Sequence, residues 1–495
     1  MAAQESGDLE ATERLPRVTR RGLLRGLGAG VVGVSLPAIV AACGGNSNNK
    51  STNTSNAAPA STTTTAPAAA TTGSAPTTAA ASATSPAASS SFTPPTITSG
   101  SHSLKLLMWS HFVPAFDTYF DKWAKDWGST NKVSMTIDHI PTNTVTTKAA
   151  AEVAAGTGHD MILFQTGSDP HVYSSHLVDV SDLANYFGNQ YGGYVSIGPN
   201  ISQINGKWVT IPDFVIQYPG LYRKDLFDAA GLKPPDQWAD LIPVGQKLKP
   251  QGHPVGIAIN QNSGDSNASL ISILAGYGAS WVDTDGKTIT INSQGTKDAI
   301  AYVQQLYKEA MTPEVLSWDD SSNNQLLDSG VGSYILNPIS AYRSASQDLQ
   351  NKIAVSIWPG GPKGRQMIVN ASSWAIMSWT KEQSTAEKFL VDYFAQYLES
   401  FKASTGYNFP ILKGFQKKPM PILGADPKLN ILQDMGDAAI SPGWPGPATA
   451  AAGEVNNTYV IPNMFAKAVT GSSADQAIAF AEQQIKGIYA KYPGG

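Results

Sequence analysis

Seven histidines, 38 acidic side chains and one cysteine are the groups from which this 495-residue chain could build chemistry. His171 and His176 stand five apart, the wrong interval for two ligands on one helix face, and no His-Glu-x-x-His occurs, so no metal is expected. A lone cysteine rules out an internal disulfide and any multi-cysteine cluster. Gly28-Ala-Gly30-Val-Val-Gly33 has the spacing of a dinucleotide cradle, but no strand precedes it. Without the strand–turn–helix context there is no pyrophosphate site, and no cofactor is expected. There is no Gly-x-Ser-x-Gly elbow and no phosphate loop. Asp160, Asp169, Asp213 and Asp265 all fall near predicted strand ends. A glycoside hydrolase needs two such carboxylates facing each other across a cleft. That alternative stays open beside the commoner role of an acid as a hydrogen-bond acceptor.

The elements that must position these groups begin with an unusual first hundred residues. Arg20 and Arg21 stand immediately before a Gly-rich apolar stretch that ends Val40-Ala41-Ala42-Cys43. The paired arginines look like a twin-arginine export signal over residues 1–42, and the small residues before Cys43 resemble a bacterial lipobox. Cys43 would then be the acylated N-terminus of the mature chain, whose acyl chains give stable anchoring at about 0.8 kcal/mol per buried methylene. Residues 43–103 are mostly Ser, Thr, Ala, Pro and Asn, a composition too poor in bulky apolar groups to order itself, and are expected to form a tether. The expected address is the outer face of the cytoplasmic membrane.

All eleven tryptophans lie beyond the tether. Strand-length runs at 104–109, 133–140 and 161–164 alternate with helical patterns at 116–127 and 148–155, a βαβαβ rhythm that predicts a mainly parallel sheet flanked by helices. Further strands are expected at 208–211, 255–259, 333–336, 353–357 and 374–378, and helices at 225–230, 237–248, 268–276, 294–310, 382–397 and 473–490. About 390 residues exceed one comfortable core, so two lobes are expected. With 34 basic against 38 acidic residues the formal charge is −4, which gives no electrostatic footprint for nucleic acid.

In α/β sheets ligands bind beyond the carboxyl ends of strands. Those positions hold Trp109-Ser110-His111, Gln165 to Asp169, Asn260 to Ser263, and Asn337-Pro338. Neutral donors and acceptors with indole faces suit hydroxyl groups and the apolar faces of sugar rings, although loops are rich in Asn and Ser for turn and capping reasons alone.

The stretch from Gly206 to Leu248 carries the most information. Gly206-Lys207-Trp208, Ile211-Pro212, Tyr222-Arg223-Lys224-Asp225, Ala230-Gly231-Leu232 and Pro235-Asp236-Gln237-Trp238 follow one another in the order seen in the extracellular solute-binding proteins of ABC importers, family 1, sugar type. The chain resembles that family from residue 104 to the end, with Arg223 replacing the usual Asn. The resemblance implies a two-lobe, hinged fold of the periplasmic-binding-protein type (type II). Residues 104–214 with 371–408 would form lobe 1, and 215–370 with 409–495 lobe 2. It implies a monomeric binder, not an enzyme, that closes on a sugar-like solute and delivers it to the permease subunits. It places Trp109, Ser110, His111, Gln165, Asp169, Asp213, Gln217, Asn260, Trp281, Asn337, Trp374 and Trp444 in or beside the ligand cleft, with about half of the four tryptophans on ligand. A polyamine would need several cleft carboxylates and an anionic ligand a basic cluster. Neither shows in the sequence, although Arg343 and Arg365 could approach.

Overall fold

The computed structural model describes residues 92–492 apart from 263, 436 and 437. Arg20, Arg21, Cys43 and most of the tether lie outside the described residues.

Numbering in chain order the strands of the two large sheets gives β1 His102–Trp109, β2 Val133–Ile140, β3 Met161–Phe164, β4 Ile211–Ile216 and β5 Gly220–Arg223. Next come β6 Val255–Gly256, β7 Tyr334–Leu336, β8 Ile353–Ser356, β9 Asn370–Ile376 and β10 Phe409–Pro410. One sheet has the order β10-β4-β9-β3-β1-β2 and the other β8-β5-β7-β6. The pairings β1·β2 and β1·β3 are parallel, whereas β9 runs against both β3 and β4, and β10 against β4. Four of the six strands therefore share one direction, and in the second sheet β5 alone opposes the others.

The first three strands follow the βαβ logic read from the sequence. Pro114 opens the helix Pro114–Asn131, where its missing N–H costs nothing, and Lys132 closes it in the left-handed region. Gly156, also left-handed, ends the helix Val145–Ala155 and turns the chain into β3. The helices Gln294–Ala310 and Ala474–Tyr489 start on Ser293 and Ser473, each accepting from a backbone N–H of the first turn. Phe120 stacks on Trp374 at 5.9 Å and meets Phe389 and Tyr393 edge-on, so an aromatic cluster welds the first helix to β9.

Three expectations shift. Phe92 and Ile97, expected within the tether, pack against the core, and Phe92 lies 5.3 Å from the Tyr186 ring. Two apolar side chains in a small polar stretch suffice to dock it. The strand expected at 208–211 is divided between a short strand, Lys207–Trp208, and Ile211–Ile216, in which Pro212 and Asp213 sit at a β-bulge. Ser372 pairs with Phe214 and Ser373 with Pro212, leaving Asp213 as the extra residue. Finally, β4 carries the first sheet to Ile216 and β10 brings Phe409 and Pro410 to it, beyond the changes of lobe expected at 214 and 408.

Candidate functional site

The chain passes between the two sheets through Gln217–Pro219 and again between β8 and β9. At that junction lies a cavity of about 210 Å³, contiguous with a wider one of about 430 Å³ through shared walls at Phe112, Thr142, Asp320 and Tyr459.

The first lobe contributes the carboxyl ends of its parallel strands. Trp109 ends β1; Thr142, Thr146 and Thr147 follow β2; Gln165 and Thr166 follow β3. Gln165 is held by the Thr142 hydroxyl, which donates to its Oε1. Behind Trp109 stands His111, stacked on it at 4.5 Å and edge-on to Tyr407 at 5.0 Å. His111 Nδ1 accepts from the Val113 N–H at 2.8 Å, so Nε2 carries the proton and donates to Asn408 Oδ1 at 2.9 Å. Burial lowers its pKa to about 4, so the ring is neutral and fixes Trp109 and Tyr407 without adding charge.

The second lobe contributes Asn337 at the end of β7, whose amide donates to Asn324 Oδ1 at 2.7 Å, and the start of the helix Asp265–Gly276. Asp320 Oδ1 accepts from the backbone N–H groups of Gly264 at 3.0 Å and Asp265 at 3.2 Å. A Cβ at Gly264 would lie 2.8 Å from that oxygen, so glycine allows the close approach. Asp265 is buried, its Oδ2 has no hydrogen-bond partner, and burial followed by the Asp320 charge pushes its pKa well above the ordinary range. The crossing segments close the floor with Tyr218, Asn370 and Tyr407; Asn370 donates to the Tyr218 hydroxyl at 3.2 Å.

Of the residues expected at the cleft, Trp109, Gln165 and Asn337 line the inner cavity and Ser110 the wider one. The others stand elsewhere. His111 supports the wall from behind. Asp169 is buried beside Thr166, Asn457 and Thr146, at the back of the wall, and burial raises its pKa to about 6. Asp213 points into lobe 1, where its Oδ2 accepts from Trp374 Nε1 at 2.9 Å and from the Tyr393 hydroxyl at 3.2 Å; the bulge re-aims it away from the cleft. Trp374 is thereby committed to the core, and Trp281 is likewise fully buried away from the cavity. Trp444 packs on the core without reaching the cavity, so one of the four tryptophans, not half, lines it. Gln217 donates to the Leu432 carbonyl at 3.1 Å, and Asn260 accepts from the Ser266 hydroxyl at 2.9 Å, both as structural ties. Arg343 pairs with Asp426 and Arg365 with Asp236, and neither lines the cavity.

Sequence reasoning missed Phe112, Tyr218, Asn370, Tyr407, Asp320 and Tyr459. The threonines after β2 were within reach, because the rule applied to the ends of β1 and β3 holds equally there. Tyr459, left-handed at φ 57°, carried no sequence signal.

Residues 119–431 match the profile described as bacterial extracellular solute-binding protein. The chain belongs to that family. Solved structures agree on the fold of this solute-binding protein. A sugar transporter from Arthrobacter chlorophenolicus A6 with bound laminaribiose is 19% identical, covers 78% of this chain and 99% of its own, and superposes with a TM-score of 0.68. Maltose-bound MalE3 of T. maritima is 19% identical, with 78% and 100% covered and a TM-score of 0.67. A solute-binding protein of an ABC transporter from Agrobacterium radiobacter K84 in complex with ribitol is 18% identical, with 78% and 98% covered and a TM-score of 0.66. All are two-lobe binding proteins. Among the described residues no helix is long and apolar enough to cross a membrane, and no group of three or more His, Cys, Asp or Glu could hold a metal.

Proposed function

We propose that this solute-binding protein captures a sugar or related polyhydroxylated solute between its lobes and delivers it, unaltered, to the permease of an ABC importer. The observation that carries the reading is the cavity itself: side-chain amides and hydroxyls from both lobes converge beside Trp109 and Phe112, at the point where the chain crosses between sheets. The bound laminaribiose, maltose and ribitol of its structural neighbours support the same ligand class. Closure of the lobes would expel water, so that the rings contribute by area and the neutral polar groups by orientation.

A hydrolase is the less supported alternative. Asp265 and Asp320 both come from the second lobe and sit side by side, Asp320 accepting from the Asp265 N–H, rather than facing each other across a bond to be cut. Export by the twin-arginine signal, acylation at Cys43 and action as a tethered monomer complete the proposal. A thermal-shift and calorimetric panel of mono-, disaccharides and polyols tests it. Saturable stabilisation by at least one of them, without product, is expected; product accumulation, or no shift with any of them, would refute it.

A further inference from the structure

The two parts of the cleft offer a guest different chemistry. In the inner cavity, about 210 Å³, the side-chain amides and hydroxyls of both lobes converge. It has the size for one sugar ring, since a benzene ring occupies an engineered cavity of about 150 Å³. The wider cavity, about 430 Å³, is larger still, yet much of its polar wall is spent within the protein. The Thr142 hydroxyl donates to Gln165. Asn262 is buried, donating to Asn260 Oδ1 at 3.0 Å and accepting from the Ser266 N–H at 2.6 Å. Gln261 donates to Asn463 Oδ1 at 3.0 Å. Ser321 donates to Asp319 Oδ1 at 2.7 Å, and Asp319 is itself exposed, so its charge stays in water. The apolar members of the same wall keep uncovered surface on both lobes. Phe112 is 43% exposed and Pro141 is exposed on the first lobe, and Trp318 and Tyr459 are half-buried opposite. A second sugar unit would bring hydroxyls to side chains already bonded elsewhere. An apolar group would cover surface that water now wets.

We propose that the captured solute is a glycoside, with one sugar unit in the inner cavity and an apolar aglycone about the size of an aromatic ring in the wider one. The inference rests on the proposed sugar site and deepens it by naming what the sugar carries. Phe112, Thr142, Asp320 and Tyr459 wall both cavities, so the glycosidic oxygen lies at their junction. Phe112, Pro141, Trp318 and Tyr459 enclose the aglycone as the lobes close.

Matched probes decide it. The full chain is titrated calorimetrically at pH 7 with the methyl and phenyl glycosides of D-glucose, D-galactose and D-mannose in both anomers. Maltose, cellobiose and lactose serve as two-sugar probes, and the free hexoses and ribitol as bare ones. In at least one series the phenyl glycoside should bind ten times or more tightly than the methyl glycoside. Tenfold is about 1.4 kcal/mol, which roughly 55 Å² of buried apolar surface supplies. Trp318→Ala, and separately Phe112→Ala, should cut that ratio to within about threefold. A smaller wild-type ratio, a disaccharide that outbinds every phenyl glycoside, or binding of bare sugars and ribitol alone would overturn the aglycone inference while the sugar site stands. If no probe of any kind binds, both fall. A ratio undiminished in both folded variants would overturn the assignment to this wall. Should Trp318→Ala fail to fold, Phe112→Ala, at an exposed position, and the wild-type ratio decide.

Discussion

Replacing Asp213 by Asn should make the protein more stable at alkaline pH and should do so through a titration. Asp213 occupies the bulge of β4 inside lobe 1. Its Oδ2 accepts from Trp374 and Tyr393, its carbonyl accepts from the Tyr397 hydroxyl at 3.0 Å, and its Oδ1 has no partner. Burial raises the carboxyl from 3.8 to about 7, against the lowering effect of those hydrogen bonds. The folded pKa exceeds the unfolded one, so its favourable contribution is complete below about pH 4. It is lost progressively as pH rises, and the loss levels off above about pH 7. At 1.36 kcal/mol for each tenfold, the full loss is about 4 kcal/mol. Asparagine keeps the shape and the acceptor facing Trp374 and Tyr393 but cannot ionise. Its amide N–H₂ inherits the unpartnered position of Oδ1, a penalty of about 1–3 kcal/mol that is the same at every pH. The measurable quantity is therefore a difference of differences. Between pH 4 and pH 8, denaturant midpoints with a common slope should move in favour of Asp213→Asn by about 4 kcal/mol. A stability difference between variant and wild type that is equal at the two pH values would refute the buried, proton-holding carboxyl.

Phe112 is 43% exposed and lines both parts of the cavity, so Phe112→Ala should weaken solute binding about five- to tenfold in calorimetry, with an unfolding midpoint close to wild type. Gly245 lets the helix Leu241–Leu248 touch the helix Gln294–Ala310, where an added Cβ would lie 2.1 Å from the Ala310 Cβ and 2.3 Å from its Cα. Gly245→Ala should therefore lower stability by about 1–3 kcal/mol despite a gain of about 1 kcal/mol in helix propensity, read as a fall in denaturant midpoint. Cys43→Ser should move the protein from the membrane fraction to the soluble exported fraction, and mass spectrometry of the wild-type membrane fraction should find a mature chain beginning at acylated Cys43. Retention of the variant in the membrane would contradict the anchor.

Much of the scaffold was legible because it rests on local rules. Apolar runs bounded by helix patterns located β1, β2 and β3, with β2 and β3 at their observed limits, and the helix expected at 294–310 is the observed Gln294–Ala310. The strand-end rule found Trp109, Gln165 and Asn337 because the carboxyl ends of the strands border the cleft, although it does not fix which way each side chain there turns. Asp213 and Trp374, which the resemblance put at the cleft, bond each other inside lobe 1. Facing there depends on a bulge, and a bulge is set by how two distant strands pair.

Sequence by itself determined the folded region's alternation of strand and helix, the scarcity of catalytic and metal-binding groups, and a set of neutral polar side chains at strand ends. Each of these follows from periodicity, composition or spacing, which are properties of neighbours along the chain. Only the tertiary structure decided that Asp265 and Asp320, 55 residues apart, share one wall, that Tyr218, Asn370 and Tyr407 close the floor from separate crossings, and that three of four tryptophans are spent on packing. Those outcomes depend on long-range pairing and on which face of a strand is desolvated. Two carboxylates far apart in sequence become neighbours only through the fold, and burial then raises the pKa of Asp265.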